Sequence, residues 1–202
     1  MVLRRPSMVR SVTLGSARLK AMKAPQLETT NPAIKLIEPD VERDAALGVE
    51  WLHGELGHST LVLMGVADED NKPTSLEAER ARVQDFIEGK DQLNWMIQYE
   101  GTVVGSVWVD LVTKDELPAP AVHIMIGNPA MRGKGVGFST VNSVLNYLKT
   151  LGHETIYSRH LTKNSGATTL LDSLGFHDLG EPHTDSDGLE WQNVVKTTST
   201  PQ

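Results

Sequence analysis

The residues best suited to chemistry sit in one short run, NPAMRGKGVGFS, from Asn128 to Ser139. Arg132 and Lys134 alternate with Gly133 and Gly135, Val136 and Gly137 follow, and an apolar-periodic segment begins at once. A strand that runs into glycines and then a helix presents free backbone N–H groups at the positive end of a helix dipole. Such groups hold a phosphate or diphosphate without help from charged side chains. Glycine suits the position because a side chain there would keep the backbone away from the anion. A plain flexible strand-to-helix loop carries the same letters. Two familiar nucleotide motifs fail. A Walker A loop needs G-x-x-x-x-G-K-S/T, but the residue five after Gly127 is Arg132, and Lys134 is followed by Gly135. A dinucleotide fingerprint counted from Gly133 would need its third glycine at Phe138.

The elements around this run must place it. Ile34 to Pro39 reads as a short strand, and Val41 to His53 as a helix with Ala45, Val49 and Leu52 at helical spacing. Leu61 to Val66 is an apolar run that either extends this helical region or forms a short strand. Thr74 and Glu77 form a capping box at the head of another helix, which Gly89 ends. Leu93 to Val112 is two strands joined at Glu100–Gly101, and a third strand, entered through prolines, ends at Asn128. A helix striped by Val141, Val144, Leu145 and Leu148 closes at Gly152. A strand from Glu154 to Leu161, a helix capped by Gly175 and a final strand near Leu189 to Val195 complete the order. Alternation of this kind describes one α/β domain with a mixed sheet.

Composition sets the outer bounds. With 202 residues, 39% hydrophobic and 22% charged, the chain suits one globular domain with a sizeable core. There is no cysteine, which excludes disulfide scaffolds, thiolate metal sites and cysteine nucleophiles. Seven histidines without regular spacing give no metal signature, and no apolar run approaches the roughly 18 residues of a membrane span. Of 26 acids only Glu28 falls in residues 1–33, which hold six of the 19 basic residues. The acidic remainder argues against nucleic acid as the main partner and is compatible with a cationic substrate. Residues 1–25, rich in Arg and Ser, read as a transit peptide would, but their composition favours a disordered extension or an early start codon, with Met8 and Met22 as later starts. The expected division is therefore a basic, disordered extension over 1–33, a domain over 34–196 and a flexible tail over 197–202, with a cytoplasmic location.

Arg132, Gly135 and Gly137 fit R-x-x-G-x-G, preceded by Asn128–Pro129 at a strand end, and about 30 residues on stands NSGATTLLDSLGF, Asn164 to Phe176. On these two motifs in register, the chain resembles the GNAT superfamily of N-acetyltransferases. The resemblance implies a mixed, mostly antiparallel twisted sheet flanked by helices on both faces, with acetyl-CoA as cosubstrate and no metal. It places the CoA diphosphate on backbone amides from Arg132 through Gly133, Lys134, Gly135 and Val136 to Gly137, with charge from Arg132 or Lys134. It sets the pantetheine arm beside Ile124, Met125 and Ile126, with a hydrogen bond from Asn164. A neutral amine then attacks the thioester, a backbone amide holds the oxyanion, and the CoA thiolate leaves.

The catalytic side chains are where the resemblance thins. The superfamily's tyrosine acid falls at Leu171, and the serine used by relatives that acetylate ribosomal-protein N-termini falls at Ala167. Ser165 and Thr168 are nearby hydroxyls, and Ser165 reads first as a helix N-cap. The usual glutamate base falls near Ala121, which leaves His123 as the nearest ionisable group. Asp110, on a face with Ser106 and Trp108, reads as a base, a contact for a cationic acceptor or a solvated strand-end carboxylate. Trp51, Trp95 and Trp108 read as core or as an acceptor wall, and His53 and His58 lie in the first helical region. The leading function is acetyl transfer to a primary amine of a small molecule or a peptide N-terminus. The alternative is a catalytically weak CoA-binding module with a regulatory role. Pairing into a homodimer through sheet edges is common in the superfamily.

Overall fold

The computed structural model describes residues 23–67 and 73–197. Its sheet begins upstream of Ile34. β1 (Leu27–Glu28) pairs antiparallel with β2 (Ile34–Ile37), Leu27 opposite Leu36. Ala24 is buried, and the Pro25 carbonyl accepts the Trp95 indole N–H at 2.6 Å. The described part of 1–33 thus joins the sheet, a correction to the boundary expected at Ile34. Residues 1–22, where most of the transit-peptide question falls, lie outside the described residues, as do 198–202.

α1 (Val41–Trp51) starts at Asp40, whose carboxylate accepts the Arg43 amide at 2.9 Å. α2 (Gly54–Leu63) takes up the first half of the ambiguous apolar run, so that run extends the helical region and is not a strand. α3 (Leu76–Glu88) is capped one residue later than the sequence pattern implies. Ser75 Oγ accepts the Ala78 amide at 3.1 Å, while Thr74 Oγ1 donates to Glu79 Oε1 at 2.9 Å. β3 (Gln92–Tyr99) and β4 (Thr102–Asp110) meet at Glu100 and Gly101, both at positive φ, the geometry a tight hairpin needs. β5 (Ala121–Ile126), a short 3-10 turn (Pro129–Met131) and α4 (Val136–Thr150) follow. Then come β6 (Thr155–Leu161), α5 (Ser165–Ser173), β7 (His177–Asp178), β8 (His183–Thr184) and β9 (Glu190–Thr197).

The strands form one sheet in the order β1-β2-β3-β4-β5-β6-β9-β7, with β8 also on β9. Every pairing is antiparallel except β5 with β6. Alternation along the strands builds two cores. Trp95, Ile97, Val107, Val109 and Val122 meet Val141, Val144 and Leu148 of α4 and Leu171 of α5. On the opposite face Met96 and Met125 pack with Trp51 and Leu52 beneath α1, and Phe86 of α3 lies 6.0 Å from Trp108. The expected sheet flanked by helices on both faces is the one observed.

Trp51 pins α1 against the end of β5. A Cβ on Gly127 would stand 2.1 Å from Trp51 Cδ2, so only glycine allows that approach. Gly127→Ala should cost about 1–3 kcal/mol of stability through overpacking. A denaturant midpoint unchanged from wild type would contradict the contact.

Candidate active site

β5 and β6 run parallel but pair at one register only, Ala121 with Tyr157. The Tyr157 amide donates to the Pro120 carbonyl at 2.9 Å and Ser158 Oγ to the Val122 carbonyl at 2.8 Å; past this point the strands diverge. Backbone groups alternate sides along a strand, so with Val122 facing β6, Ile124 and Ile126 face the gap. Met125 has the opposite parity. It pairs with Ser106 of β4 and its side chain is buried in the α1 core, so its backbone does not line the gap as expected.

The glycine run sits at the mouth of this gap. Gly135 caps α4 at φ +77°, and Gly133 has φ +71°, conformations that favour glycine strongly. A Cβ at either would meet nothing within 4 Å, so the constraint is conformational and the space in front of the helix is open. No side chain caps α4. The first helical bond runs from the Ser139 amide to the Gly135 carbonyl, which leaves the Val136, Gly137 and Phe138 amides for an outside acceptor. Lys134 is exposed beside them.

Arg132 has another task. Its Nε donates to the Ile126 carbonyl at 3.1 Å and its Nη2 to Thr60 Oγ1 of α2 at 2.9 Å. Across the gap, Asn164 rather than Ser165 is the cap of α5: Asn164 Oδ1 accepts the Ala167 amide at 3.1 Å, and its Nδ2 donates to the Leu63 carbonyl of α2 at 3.2 Å. Ser165 is the exposed first residue of the helix. Thus α2 is tied to both lips of the gap, through Thr60 and through Leu63. The two acid positions hold no proton donor. Leu171 is a core residue at 6% exposure, and Ala167 has no polar side-chain atom. Thr168 Oγ1 donates to the Asn164 carbonyl at 3.2 Å and lies 3.4 Å from His160 Nδ1.

His123 and Asp110 come together on the α1–α3 face of the sheet. Trp108 is directly opposite His123, and the rings stack with centroids 5.3 Å apart and planes 19° from parallel. His123 Nε2 lies 3.1 Å from Asp110 Oδ2, close enough for an ion pair though not aligned as a hydrogen bond. Asp110 is only 6% exposed, which overturns its reading as a solvated carboxylate. Its Oδ1 accepts Gln92 Nε2 at 2.6 Å and Lys114 Nζ at 2.7 Å. Burial pushes the Asp110 pKa up, but His123, Lys114 and Gln92 together outweigh it and hold the carboxyl well below the usual carboxylate range. A carboxylate so weakly basic is unsuited to take a proton from an amine at neutral pH. A shallow opening lies beside the pair, lined by Asp110, Lys114, Leu117, Ala121, His123 and Arg159.

This pairing has a consequence for stability. The folded carboxyl ionises below its unfolded value of about 3.9, so its contribution is complete above roughly pH 4 and is lost as pH falls toward the folded value. Asp110→Asn should flatten the acid side of the stability curve between about pH 4 and 2. Equal acid slopes in urea unfolding of both proteins would contradict the account.

Of the three tryptophans considered as an acceptor wall, Trp108 alone belongs to the site. Trp95 is fully buried on the other face against Tyr147, and Trp51 packs under α1. His53 immediately precedes α2 and makes no side-chain cap. Gln92, Lys114 and Thr60 are site residues the sequence reading missed. Gln92 and Thr60 depend on contacts distant in the chain, and Lys114 depends on how the segment after β4 folds back.

Residues 40–177 match the family model described as an acetyltransferase (GNAT) domain. The chain belongs to the GNAT acetyltransferase family. An uncharacterised protein of Methanocaldococcus jannaschii is 33% identical over 95 residues, which is 45% of this chain and 19% of that relative; the match spans about a fifth of the relative's length. Among solved structures, the microcin self-immunity acetyltransferase MccE in complex with acetyl-CoA and AMP superposes with a TM-score of 0.67 at 13% identity, covering 83% of this chain and 93% of its own. RimL, a ribosomal alpha-N-protein acetyltransferase in complex with coenzyme A, gives 0.66 at 13% identity, covering 82% and 94%. At such identities these two likenesses speak for the GNAT fold. No helix among the described residues is long and apolar enough to cross a membrane.

Proposed function

We propose that the chain is an acetyl-CoA-dependent N-acetyltransferase acting on a primary amine. The observation that carries this reading is the divergence of β5 from β6 beside an uncapped α4 N-terminus, which together offer a slot and an anion cradle in line. The residues present fit the cosubstrate: open space stands before Gly133 and Gly135, and the backbone of Ile124 and the amide of Ile126 face the slot. Acetyl-CoA, when bound, supplies an acetyl thioester open to direct attack by a neutral amine.

The chain's own residues divide the work. The Val136, Gly137 and Phe138 amides hold the diphosphate at the positive helix end, with Lys134 adding charge. Ile124 and Ile126 align the pantetheine as an added strand would be aligned. Because Arg132 occupies the Ile126 carbonyl, Ile124 supplies the acceptor side of that ladder. Arg132 and Asn164 hold the lips of the slot and α2 in place. His123 takes the proton that an ammonium must lose before it attacks. Leu171 and Ala167 offer no acid, so the thiol, of ordinary acidity, departs as its thiolate.

The acceptor's class draws support from solved structures of this fold described as a microcin self-immunity acetyltransferase and as a ribosomal alpha-N-protein acetyltransferase. A panel of small primary amines and peptide N-termini, scored by thiol release and by mass gain of one acetyl group, tests the proposal. Transfer to one class establishes the reaction. Tight acetyl-CoA binding with no transfer to any amine would instead favour a CoA-binding module, the reading that Leu171 and Ala167 invite.

A further inference from the structure

We infer that Asp110 is a positioning residue for His123, and that Lys114 sets how much of the carboxylate's charge the imidazole feels. The inference rests on the acetyltransferase reading and assigns roles within its site. His123 Nε2 is buried and faces Asp110 Oδ2 at 3.1 Å, while the side chain as a whole keeps 17% exposure on its other atoms. A carboxylate beside Nε2 favours the tautomer with hydrogen on that nitrogen, which leaves the lone pair on Nδ1. Trp108 stacks on the ring and fixes its plane. When an ammonium approaches, its N–H bond breaks and an Nδ1–H bond forms; the imidazolium is stabilised by a carboxylate that stays ionised, and the proton afterwards passes to solvent.

The environment on every side is specified. Asp110 comes from β4. Lys114 and Asp115 come from the connection after it, and Arg159 from β6, where it pairs with Asp115 at 2.9 Å. The α3 side contributes Phe86 behind Trp108, with the Arg82 guanidinium 5.2 Å from the Phe86 ring centroid and paired with Glu79. Lys114 holds the other oxygen of Asp110 at 2.7 Å and is itself 43% exposed in its side chain, so it draws on the same negative charge as the imidazole. Gln92 fixes that oxygen without adding charge.

The test compares wild type, Asp110→Asn and Lys114→Met by NMR titration of the His123 ring, assigned by loss of its signal in His123→Ala, and by the pH dependence of kcat/KM. Asp110→Asn should lower the His123 titration midpoint by about one unit, a tenfold loss of proton affinity. Lys114→Met, at a half-exposed position, should raise it, and keeps the test alive if the Asn variant folds poorly. In each variant the acid limb of kcat/KM should move with the midpoint, with KM for acetyl-CoA unchanged. A midpoint that stays put in both variants overturns the pairing. A midpoint that moves while the acid limb does not removes the pair from the reaction. The NMR titration needs no turnover, so it judges the pairing even if acetyl transfer fails for every amine tried.

Discussion

Gly135→Asp should weaken acetyl-CoA binding by more than a hundredfold. Gly135 stands at φ +77° with open space where a side chain would project, directly ahead of the free amides of α4. A carboxylate there opposes the diphosphate: at about 5 Å and an effective dielectric near 20, one pair of like charges costs about 3 kcal/mol, which exceeds a hundredfold in affinity. Backbone strain adds roughly 1 kcal/mol to the folded state whatever the side chain. Gly135→Ala therefore serves as the control, carrying the strain without the charge and retaining most of the affinity. Calorimetric titration of both variants checks this. Equal affinity in the Asp variant and wild type would remove the diphosphate from this loop.

His123→Ala should lower kcat by about a hundredfold or more, the usual contribution of a positioned base. The loss should be greatest near neutrality and smaller at high pH, where the amine arrives deprotonated, so the acid limb of the wild-type profile flattens. Acetyl-CoA affinity should be unchanged, since His123 projects to the α1–α3 face and the slot is lined by the backbone of Ile124 and Ile126. Trp108 also loses its stacking partner, and a near-ultraviolet dichroism spectrum separates that change from loss of fold. A variant with the wild-type profile would take His123 out of the mechanism.

The glycine loop ahead of α4 was legible in the sequence because its conformation is carried by the backbone. Glycines that must adopt positive φ leave a mark in the letters, and so do Gly101, Gly152 and Gly175 at the ends of their elements. The Asp110 site was only half legible. Alternation put Asp110 on a face with Ser106 and Trp108, but its meeting with His123 depends on the β4–β5 register and its Gln92 partner depends on a bulge. The turn at Glu100–Gly101 sets Tyr99 opposite Thr102 and Gln98 opposite Val103, and an unbroken register would continue to set Asp91 opposite Asp110. Val104 is the extra residue that shifts the ladder, so an amide donor faces the carboxylate instead of a second acid. Nothing local in the sequence announces that slip.

The other misses have the same character. The cap of α3 moved from Thr74 to Ser75, and that of α5 from Ser165 to Asn164, because adjacent hydroxyl and amide residues compete and tertiary contacts choose. In α5 the choice is visible: Asn164 caps with one end of its amide and reaches Leu63 with the other, which a serine is too short to do. β1 escaped notice because two residues are too few to show a period. The ties of Arg132 to Thr60 and of Asn164 to Leu63 join residues 72 and 101 positions apart, beyond the reach of any spacing rule.

The most direct measurement is calorimetric titration of acetyl-CoA into the full chain at neutral pH. The account predicts saturable binding at one site per chain, with free CoA competing for it and inorganic phosphate too weak to displace it. Absence of binding by both acetyl-CoA and CoA at millimolar concentration would contradict it, and would reduce the divergence of β5 and β6 to an architectural feature.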